Sequence, residues 1–317
     1  MIRRTVTMIF CSAAVLLAGG GGKADSVIYQ TEDVQWSTYP SAQAVKAFAF
    51  NGAILWYTDG ATFKSLNALK KKLSEEPSVA GVNPADVTCM AADNAGAFWF
   101  GTQTGLVMMT AKTNTRFTAQ TGLADDGVLC ISAAGAKVWI GTAKGASNYS
   151  AGAWRTYTSK DGLIDDKIKC ICTDDPGRTW FGTEKGMSSF DGGAWKSYSM
   201  KTGMSWNDTR ALGFDRKTNV VWAAVGESDI NSWDGKEWRQ YLGIQSGITS
   251  IMADTKSRIW FGHEGGLIKF NGDEWVGDAG KLGITISQVS QMLRDAEGNL
   301  WFGAEKGVIK MTNPYLH

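Results

Sequence analysis

Short apolar runs that open on a tryptophan recur seven times along the chain, at Trp56, Trp99, Trp139, Trp180, Trp222, Trp260 and Trp301, with gaps of 43, 40, 41, 42, 38 and 41 residues. Polar, turn-forming residues punctuate the copies at matching places. A first run ends in Asp (87–93, 168–174, 248–254, 289–295), and Gly96, Gly177 and Gly298 follow three residues on. Asp at the first and Gly at the fourth position fit a type I turn. A second run reads Trp99-Phe100-Gly101-Thr102, Trp139-Ile140-Gly141-Thr142 or Trp180-Phe181-Gly182-Thr183. The third run ends in Asp191-Gly192, Asp234-Gly235 or Asn271-Gly272, dipeptides that supply the positive φ a tight hairpin needs. The fourth pairs Trp154 with Tyr157, Trp195 with Tyr198 and Trp238 with Tyr241, and ends the series with Trp275. Each copy is therefore predicted to be four antiparallel strands joined by hairpins.

Such a sheet is apolar on both faces and cannot stand alone. Packing the copies around an axis covers both faces, and a period near 42 residues is that of such radial repeats. The predicted fold is all-β: a seven-bladed β-propeller in which the repeated tryptophans fill the space between sheets. The last copy lacks a fourth strand, whereas 34–39, containing Trp36 and Tyr39, has the fourth-strand signature ahead of the first copy. The N-terminal strand is thus expected to join the C-terminal sheet, closing the ring and removing two exposed edges. Copy one departs from the pattern over about 66–84. There Leu66, Leu69 and Leu73 stand at helical spacing beside Lys70-Lys71-Lys72, before Pro77, predicting a short amphipathic helix or else a charged loop.

Residues 1–24 read as a bacterial Sec-type signal peptide: Arg3-Arg4, an uncharged apolar stretch over 5–18, and small residues around Gly22-Lys23-Ala24. The expected mature chain, 25–317, is one domain with no transmembrane segment, placed in the periplasm or secreted. It carries 29 basic and 31 acidic residues, which provides no basic footprint for nucleic acid. Of its four cysteines, Cys170 and Cys172 stand two apart on one strand, too far apart to bridge, so buried thiols are expected.

The connections from a fourth strand to the next first strand should emerge together on one face, near the axis. Two of them present Asp125-Asp126 and Asp165-Asp166, and a third Trp206-Asn207-Asp208. Carboxylates converging there would suit Ca²⁺, a cation that prefers oxygen ligands; the plainer reading is that Asp and Asn cap their own turns, and no cofactor is expected. Trp206 has no counterpart in the repeat and is set either to stack on a ligand or to pin its loop. With Lys169 and Arg210 these residues form the candidate binding set. Cys89, Cys130 and Cys170 share one position in three successive first strands, where Ala47, Ala211 and Ser250 stand in others, a position that calls for small side chains at a crowded axis.

The unit spanning 174–187, Asp-x-x-Gly-x-x-Trp-Phe-Gly-Thr-x-x-Gly-Met, preceded by Gly162-Leu163-Ile164-Asp165-Asp166, resembles the two-component regulator propeller repeat. That resemblance implies a sensory propeller outside the membrane that receives ligands such as glycans, here without a spanning helix or kinase in the chain. The expected partners are a glycan, peptide or protein of the envelope, or a separately encoded sensor kinase; a structural scaffold of an envelope complex is the alternative. The repeats are also similar to those of streptogramin lyases, whose elimination uses His, Glu and a metal. His263-Glu264 is the one local echo, and with His317 the only other histidine no enzyme is expected.

Overall fold

The computed structural model describes residues 14–15, 27–31, 34–67, 72–76, 78–135, 137–174, 177–277 and 285–312. The seven repeats form seven antiparallel sheets, the blades of a propeller. Blades 1 to 6 occupy 47–76, 87–117, 128–157, 170–198, 209–241 and 248–277, each with its four strands side by side in chain order. Blade 7 combines Gln291–Arg294, Leu300–Ala304 and Gly307–Met311 with the N-terminal strand Val34–Pro40.

The seam is closed as the sequence pattern demands. Trp36 lies opposite Met311 in an antiparallel pair, its ring 6.1 Å from Phe302, and Tyr39 stacks on Trp301 at 5.9 Å. The sheet continues outward beyond expectation, through Val27–Thr31 and the two residues Ala14–Val15. The rest of the expected signal segment lies outside the described residues. So do Leu69, Lys70, Lys71 and Pro77.

One expectation is corrected. Among the described residues no helix covers the edge of blade 1: Phe63–Asn67 and Lys72–Glu76 are strands, and Leu66 faces Leu73 across their ladder. The helical spacing of the leucines fits this arrangement as well, because an antiparallel pair in this register also sets positions seven apart opposite one another. A single 3-10 turn follows at Pro84–Asp86, capped by Asn83.

Two devices recur among the blades. In blades 2, 4, 6 and 7 the Asp that ends the first strand accepts a hydrogen bond from the indole of the second strand's tryptophan: Asp93 from Trp99 (2.8 Å), Asp174 from Trp180 (3.2 Å), Asp254 from Trp260 (3.1 Å) and Asp295 from Trp301 (2.8 Å). Its other oxygen accepts backbone N–H groups of the turn, as Asp93 does from Ala95 and Ala97. The second device is the glycine of Trp-Phe-Gly. A Cβ on Gly182 would lie 2.4 Å from Cys170 Sγ and 2.8 Å from Thr209 of the next blade; Gly101 and Gly141 are confined in the same way by Cys89 with Val128 and by Cys130 with Ile168. The three aligned cysteines are therefore fillers between an inner strand and its neighbours. They are unpaired, and burial pushes the thiols of Cys89, Cys170 and Cys172 up to about 12.

Candidate functional site

Each blade runs outward from the axis, so the connections from fourth to first strands and the turns between second and third strands share one face. Three of the connections are built alike. A Thr or Ser starts a short 3-10 turn, closed by a residue three further on: Thr118 with Thr121, Thr158 with Asp161, Ser199 with Thr202. Eight residues past that Thr or Ser a side chain returns to cap the turn, Asp126 accepting from Ala119 N (2.7 Å), Asp166 from Ser159 N (2.6 Å) and Asn207 from Met200 N (2.9 Å). This local role is what places Asp or Asn there.

The neighbouring acids have different partners. Asp125 pairs with Lys144 at 2.9 Å and Asp165 with Lys185 at 2.8 Å, each lysine standing on the turn between second and third strands of the following blade. The two aspartate pairs therefore face their own blades and do not converge. Among the described residues no group of three or more His, Cys, Asp or Glu side chains is arranged to hold a metal ion.

Lys169, Asp208 and Arg210, by contrast, do come together. Asp208 bridges Lys169, at the start of blade 4, and Arg210 of blade 5. Partial burial pushes the Asp208 carboxyl up, but the hydrogen bonds and charges of the two cations outweigh it and hold the group below the usual carboxylate range.

Trp206 takes the place that Asp125 and Asp165 hold in earlier blades. Its ring lies against Gly226, where a Cβ would approach Cγ at 2.6 Å, yet 54% of the residue is exposed. Both readings of Trp206 thus have a physical basis: one face pins the loop, and the other is presented to solvent. The presentation is rigid. Ser205 N–H is held by Asn231 at 2.9 Å, Asn231 in turn donates to Ser205 Oγ, and Gly226 N–H donates to the Asp208 carbonyl.

Sequence reasoning missed what surrounds it. The exposed large hydrophobic residues among those described are Met200 (53%), Trp206 and Leu242 (64%). All three lie on the connections that enter and leave blade 5. The second of these, 242–247, lacks the 3-10 turn, folds back on blade 5 through Ile244 N to Ser228 O (2.9 Å), and leaves a cleft of about 470 Å³ in front of Trp275. The signal was present as the shortest gap in the repeat, 38 residues between Trp222 and Trp260. His263 lines this cleft; its Nδ1 accepts Gly265 N–H at 3.1 Å, and burial lowers its pKa. His317 lies outside the described residues.

The sequence profile of the family described as two component regulator propeller matches residues 162–185, the stretch holding Asp165, Asp166, Lys169 and the Asp174–Trp180 pair. No curated protein sequence matches the chain. Among solved structures it is similar to the extracellular domain of a putative hybrid two component system from B. thetaiotaomicron, at 19% identity and a TM-score of 0.69, covering 92% of this chain and 46% of that one. The chain thus spans less than half the length of that sensor ectodomain. It is also similar to a streptogramin B lyase (14% identity, TM-score 0.69, 87% and 96% covered) and to YCF48 bound to a D1 peptide (12%, 0.66, 89% and 97%). At these identities the likeness is one of fold. No helix among the described residues is long and apolar enough to cross a membrane.

Proposed function

Starting from a seven-bladed propeller that carries the two-component regulator repeat, we propose that this chain is an exported, non-catalytic binding module whose loop face takes a polypeptide partner in the cell envelope. The observation that carries the reading is the placement of Met200, Trp206 and Leu242 on two consecutive connections of one face. A rigidly held, half-exposed tryptophan flanked by apolar side chains is the usual composition of an interface centre. The Lys169–Asp208–Arg210 group beside it supplies the polar rim. Export is supported by Arg3-Arg4 and the apolar stretch that follows, and by likeness to ectodomains described as extracellular. A propeller of this shape that is described as peptide-bound makes a polypeptide a reasonable occupant; a glycan is the competing one.

The test places a photo-crosslinking residue at Met200, Trp206 or Leu242, with Asp191 on the opposite face as control, in cells expressing the protein. A discrete protein adduct from the loop-face positions alone, lost on Trp206→Ala with the melting temperature unchanged, is the expected result. Equal adducts from Asp191, or none from any loop position, would refute the assignment of the face and favour a scaffold that uses blade edges.

A further inference from the structure

In blades 3, 4 and 5 the preceding connection lays a glycine flat on the outer-strand tryptophan. A Cβ on Gly122 would come within 2.3 Å of Trp154, on Gly162 within 2.8 Å of Trp195, and on Gly203 within 3.2 Å of Trp238. The next residue, Leu123, Leu163 or Met204, is 3% exposed. The N–H after that is accepted by a polar side chain of the third strand, Ser147, Ser188 or Asn231, at 2.8–2.9 Å. Glycine, buried apolar side chain and anchored N–H thus make one repeated plug.

Blade 6 keeps the socket without the plug. A Cβ on Gly243 would meet nothing within 4 Å. Ile244, which follows it as Leu163 follows Gly162, is half-buried and forms one wall of the cleft. The third-strand position of Ser147, Ser188 and Asn231 is here Ile268, so the polar anchor has become apolar. The cleft is lined by Ile244, Leu267, Ile268 and Trp275, with Gln245 and His263 at its rim. Because His263 Nδ1 already accepts Gly265 N–H, the ring's proton is on Nε2, where it can donate to a carbonyl.

We propose that this cleft is the anchor pocket for a partner polypeptide, taking a Leu- or Met-sized side chain from a glycine-containing turn of the kind that this chain's own connections place on Trp154, Trp195 and Trp238. The proposal rests on the loop-face reading above and names the part of the partner that is recognised. The occupant is identified by complementarity: the same fold, three times over, shows what fills the space. An uncharged branched or thioether side chain satisfies the apolar walls, and its own backbone carbonyl accepts from His263.

The experiment uses the full mature chain and, as probe, a synthetic blocked peptide with the sequence of residues 158–166. The methyl resonances of Ile244, Leu267 and Ile268 are followed by NMR as peptide is added. Saturable shifts confined to this cleft are expected, with the Leu163→Ala version of the peptide binding about tenfold more weakly, the loss that goes with one unburied leucine side chain. Gln245→Trp, which plugs the cleft from its rim, should abolish the shifts, as should replacing 242–247 by the sequence of 158–167, which lets the chain cover Trp275 itself. Absence of saturable shifts at these methyls, or equal affinity of the Leu163→Ala peptide, overturns the proposal, and both are read on the unmutated protein. The two readings fail separately. Loop-face adducts that survive Gln245→Trp sink the anchor pocket alone, whereas peptide uptake by the cleft in a protein without loop-face adducts sinks the partner assignment alone.

Discussion

The hydrogen bond from a second-strand indole to the Asp that ends the first strand can be isolated energetically, because the chain contains its own controls. Trp99 is 1% exposed and its N–H has Asp93 Oδ2 as partner, while Asp93 Oδ1 holds the N–H groups of Ala95 and Ala97. Asp93→Ala removes a charge-assisted bond and leaves a buried donor unpaired, costing roughly 1.5–3 kcal/mol, and loses the turn cap, about 1 kcal/mol more. Asp93→Asn keeps one acceptor oxygen for two roles and should cost about half as much. In blade 3 the register places Ala134 where Asp93 stands in blade 2, and Trp139 Nε1 is indeed buried without a partner. Ala134→Asp should therefore recover about 1 kcal/mol. Denaturant titration reads the three variants, with the indole ¹H–¹⁵N signals of Trp99 and Trp139 reporting the bond itself. If Asp93→Ala lies within about 0.5 kcal/mol of the parent, below what losing even one buried hydrogen bond costs, the pairing is incidental to stability and the account of the blades fails.

Three further outcomes follow from the same contacts. Gly182→Ala drives a methyl into Cys170 Sγ and Thr209 and should destabilise by about 1–3 kcal/mol, the usual cost of overpacking, as read by thermal unfolding. The thiols of Cys89, Cys170 and Cys172, pushed up to about 12 by burial, should be inert to a thiol-specific chromogenic reagent at pH 8 in the native protein and react fully in guanidinium; rapid native labelling would contradict their filler role. Burial lowers the pKa of His263 in the fold, so the unfolded chain takes up its proton first as pH falls. Stability should decline below about pH 6.5, the ordinary histidine value, down to the lowered folded value. His263→Thr, the residue found at Thr142 and Thr183, should flatten that part of the profile.

The ring was legible because its determinants are local and repeated. The tryptophan period, the Asp-Gly hairpins and the fourth-strand signature of Trp36 and Tyr39 each state one fact many times, so seven copies correct the errors of any one. The expectation failed where a signal occurs once. The leucines of blade 1 match a helix and a hairpin equally well, and only the pairing of Leu66 with Leu73 decides. Composition located the candidate loops but not their partners. Asp126, Asp166 and Asn207 occupy equivalent places and all cap turns, while Asp125 and Asp165 reach lysines 19 and 20 residues on, distances along the chain that carry no pattern without the fold. The indole bonds of Asp93 and its counterparts were hidden for a related reason. A turn-capping role already accounted for the residue, and the second oxygen's partner lies across the hairpin.

Departures from the repeat are the more informative part of such a chain, since a blade needs nothing beyond the consensus to stand. Three departures fall on blades 5 and 6 and the connections leading into them: a tryptophan where an aspartate belongs, a connection shortened by the loss of its turn, and Ile268 in place of a polar anchor. Each alone has a structural explanation. Together they replace a charged, self-capped surface with an apolar and partly open one, at the expense of a plug that three other blades retain. Unfilled apolar space of that kind costs stability, and a chain that could have closed it with its own consensus loop has not done so. The binding role proposed for this sector would account for that. Restoring the consensus there, by grafting 158–167 over 242–247 together with Ile268→Ser, should therefore raise the unfolding temperature while loop-face adducts fall. A graft that stabilises the protein and leaves those adducts intact would show that the sector is merely a worn repeat.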